Sequence, residues 1–126
     1  MNRSHQREAI MEYLKGTTSH PTADEVYQKV REVIPDISLG TVYRNLNLLA
    51  DNDMILRLHM SDGIDHFDAD ISEHHHMYCT SCKRVYDLNV KLPADTDALL
   101  KAANACDDVC IDSCSIFFFG KCSQCK

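Results

Sequence analysis

Two Cys-x-x-Cys pairs are the residues of this sequence whose spacing predicts chemistry most directly. They are Cys79 with Cys82, and Cys122 with Cys125. Each pair can chelate a metal on a tight turn, and two such pairs form the tetrahedral four-thiolate site that structural zinc prefers. A redox pair would instead be a single one, at a helix N-terminus in a βαβ unit. We therefore expect the four cysteines to hold structural zinc.

A run of three histidines precedes the first cysteine pair and predicts a second kind of metal chemistry. In an extended segment, His74 and His76 point to one face and His75 to the other, so only the first two can chelate together. Asp68 and Asp87 are candidate oxygen ligands. Two imidazoles with carboxylates suit Fe²⁺ or Mn²⁺, and zinc also fits. The residues alone leave open a second metal site or a solvated polar loop.

The remaining cysteines are Cys106, Cys110 and Cys114, which we interpret as buried small apolar residues or free thiols. The total of seven cysteines is odd, and the N-terminus has no apolar stretch of the kind that a secretory signal requires. Both observations favour metal ligation over a disulfide framework. No apolar run approaches the length of a membrane span, so we expect a cytoplasmic protein without a membrane partner.

The first half of the chain has the periodicity of three helices, in residues 4–15, 20–35 and 38–53. Thr22 and Glu25 have the spacing of a capping box, and Ser38 is a good N-cap. We expect Val33 to share a buried face with Val26 and Val30. In the third helix, the buried stripe is predicted to contain Leu39, Val42, Leu46 and Leu49.

Two short apolar segments, residues 54–60 and 64–68, flank a Ser-Asp-Gly turn and predict a β-hairpin. Three helices followed by a hairpin indicate a winged helix-turn-helix domain. The second half predicts two strands around residues 77–90, a helix in residues 93–105 and a strand in residues 108–120. The fold class is therefore α+β, with a domain boundary expected near residues 61–68.

Net charge gives nucleic-acid binding no support by itself. The chain carries −6 in total, divided as −1 over residues 1–60 and −5 over residues 61–126. A DNA-binding surface would therefore have to be local.

Six motifs, in this order along nearly the whole chain, resemble those of the ferric uptake regulator (Fur) family of bacterial repressors. They are HPTADEVY from His20, SLGTVYRNL from Ser38, HFD from His66, HHHMYCTSC from His74, VYD from Val85 and GKCSQC from Gly120. The resemblance implies a winged-helix DNA-binding domain, residues 1–63, and a small α/β metal-binding dimerisation domain, residues 64–126. It also implies a homodimer on a palindromic operator in double-stranded DNA.

The resemblance also implies two metal sites. The four cysteines hold structural zinc, and a regulatory Fe²⁺ or Mn²⁺ site takes ligands from His20, Asp68, His74, His76 and Asp87. Both carboxylates are Asp, and residues 111–116 contain no histidine. These two features resemble the peroxide-stress repressor (PerR) branch. That branch implies that Fe²⁺ and hydrogen peroxide convert His20 or His74 to 2-oxo-histidine, which releases the repressor from DNA.

The resemblance and the helix geometry together identify candidate DNA contacts at the start of the third helix. Tyr43 resembles a base-contacting tyrosine, Arg44 can contact guanine or phosphate, Asn45 can pair with adenine, and Thr41 can bind phosphate. We expect these side chains on the open face of the helix.

Three alternatives remain open at this point. One is an iron-, zinc- or manganese-responsive repressor of the same family, and another is a zinc-stapled interaction module without DNA binding. The third is a zinc hydrolase, for which Glu73 is the only nearby candidate general base. We expect a regulator and not an enzyme.

Overall fold

The computed structural model describes residues 3–72, 74–93, 95–106 and 108–126, with side chains from residue 5 onward. These residues form two compact units. The first is Met1–Glu73 with Arg84–Tyr86, and the second is His74–Lys83 with Asp87–Lys126. The elements in chain order are α1 (Arg3–Lys15), α2 (Ala23–Val30), α3 (Leu39–Asp51), β1 (Leu56–His59), β2 (Asp65–Asp68), β3 (His75–Cys79), β4 (Val85–Leu88), α4 (Thr96–Asn104) and β5 (Phe117–Gly120).

The starts of α2 and α3 are set by local capping, as the sequence predicts. Thr22 accepts a hydrogen bond from the backbone N–H of Glu25, and the Glu25 carboxylate accepts one from the Thr22 N–H, which completes a capping box. Ser38 accepts from the N–H of Thr41 and caps α3. Both caps satisfy donors that a helix cannot satisfy internally.

The core of the first unit lies between its three helices and strand β2. Its members are fully or nearly fully buried aliphatic side chains with one aromatic ring: Ile10, Leu14, Ala23, Val26, Val30, Ile34, Ile37, Val42, Leu46, Leu49, Ile55 and Phe67. The stripe that the sequence predicts on α3 is therefore confirmed for Val42, Leu46 and Leu49, whereas Leu39 is only half-buried.

The end of α2 differs from the sequence prediction. Val33 is 70% exposed, and Ile34 is buried in its place. The helix ends at Val30, and the N–H groups of Val33 and Ile34 both bond to the Val30 carbonyl. This tightening of the last turn rotates the following residues, so the prediction that Val33 shares the buried face of α2 was wrong.

Strands β1 and β2 form the predicted antiparallel hairpin, with Leu56 opposite Asp68 and His59 opposite Asp65. Gly63 in the connecting turn has φ of 84°, a left-handed conformation that glycine adopts without steric cost. A domain boundary between residues 63 and 64 would separate the two strands of this hairpin. Their pairing keeps both in the first unit, whose first segment extends to Glu73.

The second unit is built on a three-stranded sheet of order β4-β3-β5, and Asp87 and Leu88 of β4 belong to this unit. Strands β3 and β5 run parallel, with His76 opposite Phe117 and Cys79 opposite Gly120. Helix α4 lies within residues 93–105, where the sequence predicts a helix, so that prediction is confirmed. Asp95 caps the helix by accepting a hydrogen bond from the N–H of Ala98. It has no buried residue, so this unit has little apolar core of its own.

The strand predicted over residues 108–120 is present only at its end, as β5. The segment 108–116 has no regular structure. Part of the cause is that the Asn104 side chain takes both backbone groups of Ile111, which are then unavailable to a strand ladder. None of the described helices has the length and apolar character that crossing a bilayer requires.

Candidate metal centres

The four paired cysteines converge in the second unit because two parallel strands end at the same edge of the sheet. Cys79 is the last residue of β3, and the second pair follows β5 after Gly120. The Thr80 N–H bonds to the Gly120 carbonyl at 2.8 Å, which extends the pairing one residue beyond the strands. The predicted zinc ligands are thus brought together.

Each Cys-x-x-Cys segment forms a tight turn that points its sulfurs inward. The N–H of Lys83 bonds to the Cys79 carbonyl at 2.9 Å, and the N–H of Cys125 bonds to the Cys122 carbonyl at 3.0 Å. The four Sγ atoms lie within 4.8 Å of one another, and those of Cys82 and Cys122 are 3.9 Å apart. Tetrahedral zinc, with Zn–S of about 2.3 Å, requires sulfurs about 3.8 Å apart. The arrangement fits that ion closely.

The electrostatics of the cluster favour a thiolate at Cys79. Its Sγ accepts from the N–H groups of Cys82 and Cys122, both at 3.4 Å. These bonds lower the pKa of Cys79 to about 6. Hydrogen bonds from its thiol to the neighbouring sulfurs, Cys122 foremost, raise the pKa of Cys125 to about 12. One anionic sulfur surrounded by other sulfurs is an arrangement that a divalent cation stabilises.

In the first unit, the buried His20 pairs with the partly buried Asp68, with 3.1 Å between His20 Nε2 and Asp68 Oδ2. His20 has φ of 51°, a left-handed backbone conformation that is uncommon outside glycine. The segment is held there by strand β2. The Phe67 N–H bonds to the Pro21 carbonyl at 2.9 Å, and Thr22 forms a β-bridge with His66.

A second contact from β2 reaches His20 itself. His66 Nδ1 lies 2.7 Å from the His20 carbonyl oxygen, and both residues are buried. A carbonyl only accepts, so His66 must carry its proton on Nδ1 and donate. The sequence analysis placed His66 in the HFD motif and gave it no separate role. In the structure it donates a hydrogen bond that supports His20, a predicted ligand.

In the second unit, His74 and His76 share Asp87. Their Nε2 atoms lie 3.2 and 3.5 Å from Asp87 Oδ1, and their ring centroids are 4.4 Å apart. The ring of Phe117 stacks on His76 and fixes its plane. His75 lies one residue earlier in β3 than His76, so it points to the opposite face, as the sequence predicts.

The start of α3 carries the candidate DNA contacts. Tyr43 is 44% exposed and Arg44 is exposed, while Arg44 Nη2 donates to Thr41 Oγ1 at 2.9 Å. The expectation that Asn45 lies on the open face was wrong: it is only 7% exposed, and its amide donates to the Thr41 carbonyl at 2.9 Å. Its position one turn after Thr41 makes this local bond available.

A cavity of about 510 Å³ within the first unit adds residues that the sequence analysis missed. Its lining comes from α1 and α3: Gln6, Arg7, Thr41, Arg44, Asn45, Asn47, Leu48 and Asp51. Arg7 Nε is buried there and has no hydrogen-bond partner among the described residues. The available signal was that Arg7 precedes the buried Ile10 by three residues, which places a cation at the edge of the apolar face of α1.

Two further expectations concern residues outside these sites. Cys106, Cys110 and Cys114 are free thiols, but all three are exposed, so their interpretation as buried apolar residues was wrong. Glu73, the candidate base of the hydrolase alternative, lies outside the described residues.

Comparisons with known proteins agree on one family. The model of the ferric uptake regulator family matches residues 1–106. A curated relative, the peroxide-responsive repressor PerR of Staphylococcus epidermidis, is 33% identical over 121 residues, which cover 96% of this chain and 79% of the relative.

Solved structures extend the likeness to the fold. The Campylobacter jejuni peroxide stress regulator has a TM-score of 0.77 and 27% identity, covering 98% of this chain and 90% of that one. The Vibrio cholerae ferric uptake regulator has a TM-score of 0.72 and 28% identity, covering 93% and 88%. On the extent of the family match and the identity to a curated relative, the chain belongs to the ferric uptake regulator family.

Proposed function

We propose that this protein is a metal-dependent, DNA-binding transcriptional repressor that senses hydrogen peroxide. The observation that carries the proposal is that the histidines expected as metal ligands each face a carboxylate. His20 faces Asp68 in the first unit, and both His74 and His76 face Asp87 in the second. The likeness to peroxide-responsive relatives supports the same reading.

These five residues are proposed to ligate one regulatory ion. Three neutral imidazoles and two carboxylates neutralise a divalent cation and form a harder donor set than thiolates, which suits Fe²⁺ or Mn²⁺. Because the donors are drawn from two units of the chain, an ion held by all five would fix the conformation that binds DNA. Metal would then shift the population toward that conformation.

The four cysteines are proposed to hold a separate, permanent zinc ion. The second unit has an exposed helix and few buried side chains. A metal cross-link is therefore more important for its stability than for that of the first unit. Zinc ties the ends of β3 and β5 together and supplies folding free energy directly. The thiolate character of Cys79 supports this assignment.

The α3 face is proposed to contact the DNA major groove. Tyr43 and Arg44 are the exposed residues at its start, and Thr41 is held beside Arg44. Asn45 supports the helix from inside through its bond to Thr41. Arg7 and Arg44 line the same cavity. Because both side chains are cationic, the cavity is proposed to bind a phosphate of the DNA backbone.

The second unit is proposed to form the contact of a homodimer, which matches two recognition helices to a palindromic operator. It exposes large apolar side chains that a single unit does not cover: Val90, Leu99, Val109, Ile111 and Phe119. Phe119 is the most exposed of them and lies in β5. Apolar side chains grouped in one small unit are typical of an association surface.

Peroxide sensing is proposed to occur at the ligand histidines. Fe²⁺ held by these ligands would supply the redox chemistry that activates hydrogen peroxide, with no net change in its own oxidation state. The imidazole of His20 or His74 would be the group oxidised: it would lose two electrons and gain one peroxide oxygen at a ring carbon, and the other oxygen would leave as water. Burial of His20 and its bond from His66 hold that ring close to Asp68 when oxidant arrives. A ring altered in this way binds metal less well, and DNA binding is lost.

Metal-dependent DNA binding tests the proposal. The protein is titrated into a labelled duplex from its own promoter region, with and without Mn²⁺. We expect the wild type and Asp62→Asn, an exposed hairpin-turn control, to bind tightly only with Mn²⁺. Asp68→Asn, which removes one anionic ligand, should lose most of the metal response. Equal binding by all three proteins without metal would refute the proposal and favour a zinc-stapled interaction module or a metal-independent regulator.

A further inference from the structure

The loop that follows α4 carries two cysteines that the proposed metal sites do not use. Cys106 and Cys110 are exposed free thiols. The residues flanking them are pinned together: Asn104 Oδ1 accepts from the Ile111 N–H at 2.7 Å, and Asn104 Nδ2 donates to the Ile111 carbonyl at 3.0 Å. Both thiols therefore lie within one short loop whose two ends are held in contact.

The third exposed cysteine, Cys114, is held at the opposite end of the helix. Its Sγ donates to the Thr96 carbonyl at 3.7 Å, whereas Cys106 Sγ donates to the Ala102 carbonyl at 3.5 Å. Thr96 and Ala102 are six residues apart in α4, which is about 9 Å along the helix axis. A disulfide needs Cα atoms within about 7 Å. Cys114 is therefore placed away from Cys106.

We propose that Cys106 and Cys110 form a thiol switch that hydrogen peroxide oxidises to a disulfide within the loop. One thiolate attacks a peroxide oxygen, giving a sulfenic acid and one water. The second thiol attacks that sulfur, the S–S bond forms, and a second water leaves. Two thiols and one peroxide thus give one disulfide and two waters, with no metal involved.

The competing contacts of these thiols are weak enough to be exchanged for a disulfide. Cys110 Sγ lies 4.0 Å from Asp112 Oδ1, and the Cys106 bond to the Ala102 carbonyl is long. The pinned ends keep the loop short in the reduced protein, so closing the ring requires rearrangement only between them. The exposed position also separates this pair from Cys79 and Cys122, which are buried in the cluster proposed to hold zinc.

The experiment uses zinc-loaded protein stripped of iron and manganese, so that oxidation of a ligand histidine cannot occur. After treatment with hydrogen peroxide, free thiols are alkylated and the protein is digested with trypsin. The tryptic peptide of residues 102–121 contains the two loop cysteines and Cys114. We expect most of it to lose two hydrogen atoms and to carry a single alkyl group, on Cys114. A thiol reductant should restore three alkylated cysteines.

Matched variants identify the partners. Cys106→Ser and Cys110→Ser should each abolish the loss of two hydrogens, whereas Cys114→Ser should leave it unchanged. Three alkylated cysteines after peroxide, a disulfide that requires Cys114, or disulfide-linked dimers would overturn the proposal. Histidine oxidation adds oxygen and disulfide formation removes hydrogen, so the two peroxide reactions fail or succeed separately.

Discussion

Replacing His66 by Phe tests whether strand β2 prepares His20 for metal. The substitution keeps an aromatic ring but removes the Nδ1–H that donates to the His20 carbonyl across 2.7 Å. His20 holds φ of 51°, a left-handed conformation that costs a residue other than glycine about 1–2 kcal/mol. The hydrogen bond offsets this cost in the wild type. Without it, His20 relaxes, and metal binding must restore the strained conformation.

The expected result is weaker binding of Mn²⁺, by about 5–30-fold, because that factor corresponds to 1–2 kcal/mol. Isothermal titration of zinc-loaded protein with Mn²⁺ measures it. His66→Asn places an amide N–H near the position of Nδ1 and should retain most of the affinity. His59→Phe, at an exposed histidine of β1, is the control for aromatic substitution in the hairpin.

The buried carbonyl left without its donor should also destabilise the first unit by about 1–3 kcal/mol. Circular dichroism shows whether each variant is folded at the temperature of the titration. If folded His66→Phe bound Mn²⁺ within twofold of the wild type, His66 would not position His20. If His66→Phe did not fold, the comparison would rest on His66→Asn, and a large loss there would contradict the same reasoning.

Two further predictions concern stability. Leu46→Ala should lower the free energy of unfolding by about 2–5 kcal/mol because Leu46 is fully buried. Leu48→Ala, two residues along α3 at a position 43% exposed, should change it by less than about 0.5 kcal/mol in the same urea titration. In metal-free protein, the pKa of Cys79 lies at about 6 against an ordinary 9.0, so its thiolate stabilises the fold fully above pH 9. That contribution should fall as pH is lowered from 9 to 6, and the fall should be absent in Cys79→Ser.

Features set by short-range contacts could be predicted from the sequence. The capping box of Thr22 and Glu25 and the N-cap at Ser38 involve residues three apart, and both are present. The convergence of the cysteine pairs was predictable for a different reason. Two Cys-x-x-Cys turns are typical of a shared zinc site, so their ligand chemistry predicted that the two pairs lie together. The parallel strands that bring them together could not be predicted in the same way.

Other features depend on packing that periodicity does not report. Ile34 is buried instead of Val33 because α2 ends at Val30, and the prediction of a helix over residues 20–35 placed that end too late. The support of His20 by His66 links residues 46 apart in the sequence and requires the hairpin to pack on the segment before α2. Asn45 was predicted to be exposed, but its side-chain amide donates to the Thr41 carbonyl and the residue is buried.

Mass spectrometry of the ligand histidines tests the central claim most directly. Protein loaded with zinc and Fe²⁺ is treated with a small excess of hydrogen peroxide, and Mn²⁺-loaded protein is treated in parallel. We expect the peptide containing His20 or the one containing His74 to gain one oxygen atom in the Fe²⁺ sample only, together with loss of DNA binding. Unmodified histidines with DNA binding retained in the Fe²⁺ sample would contradict peroxide sensing at this site.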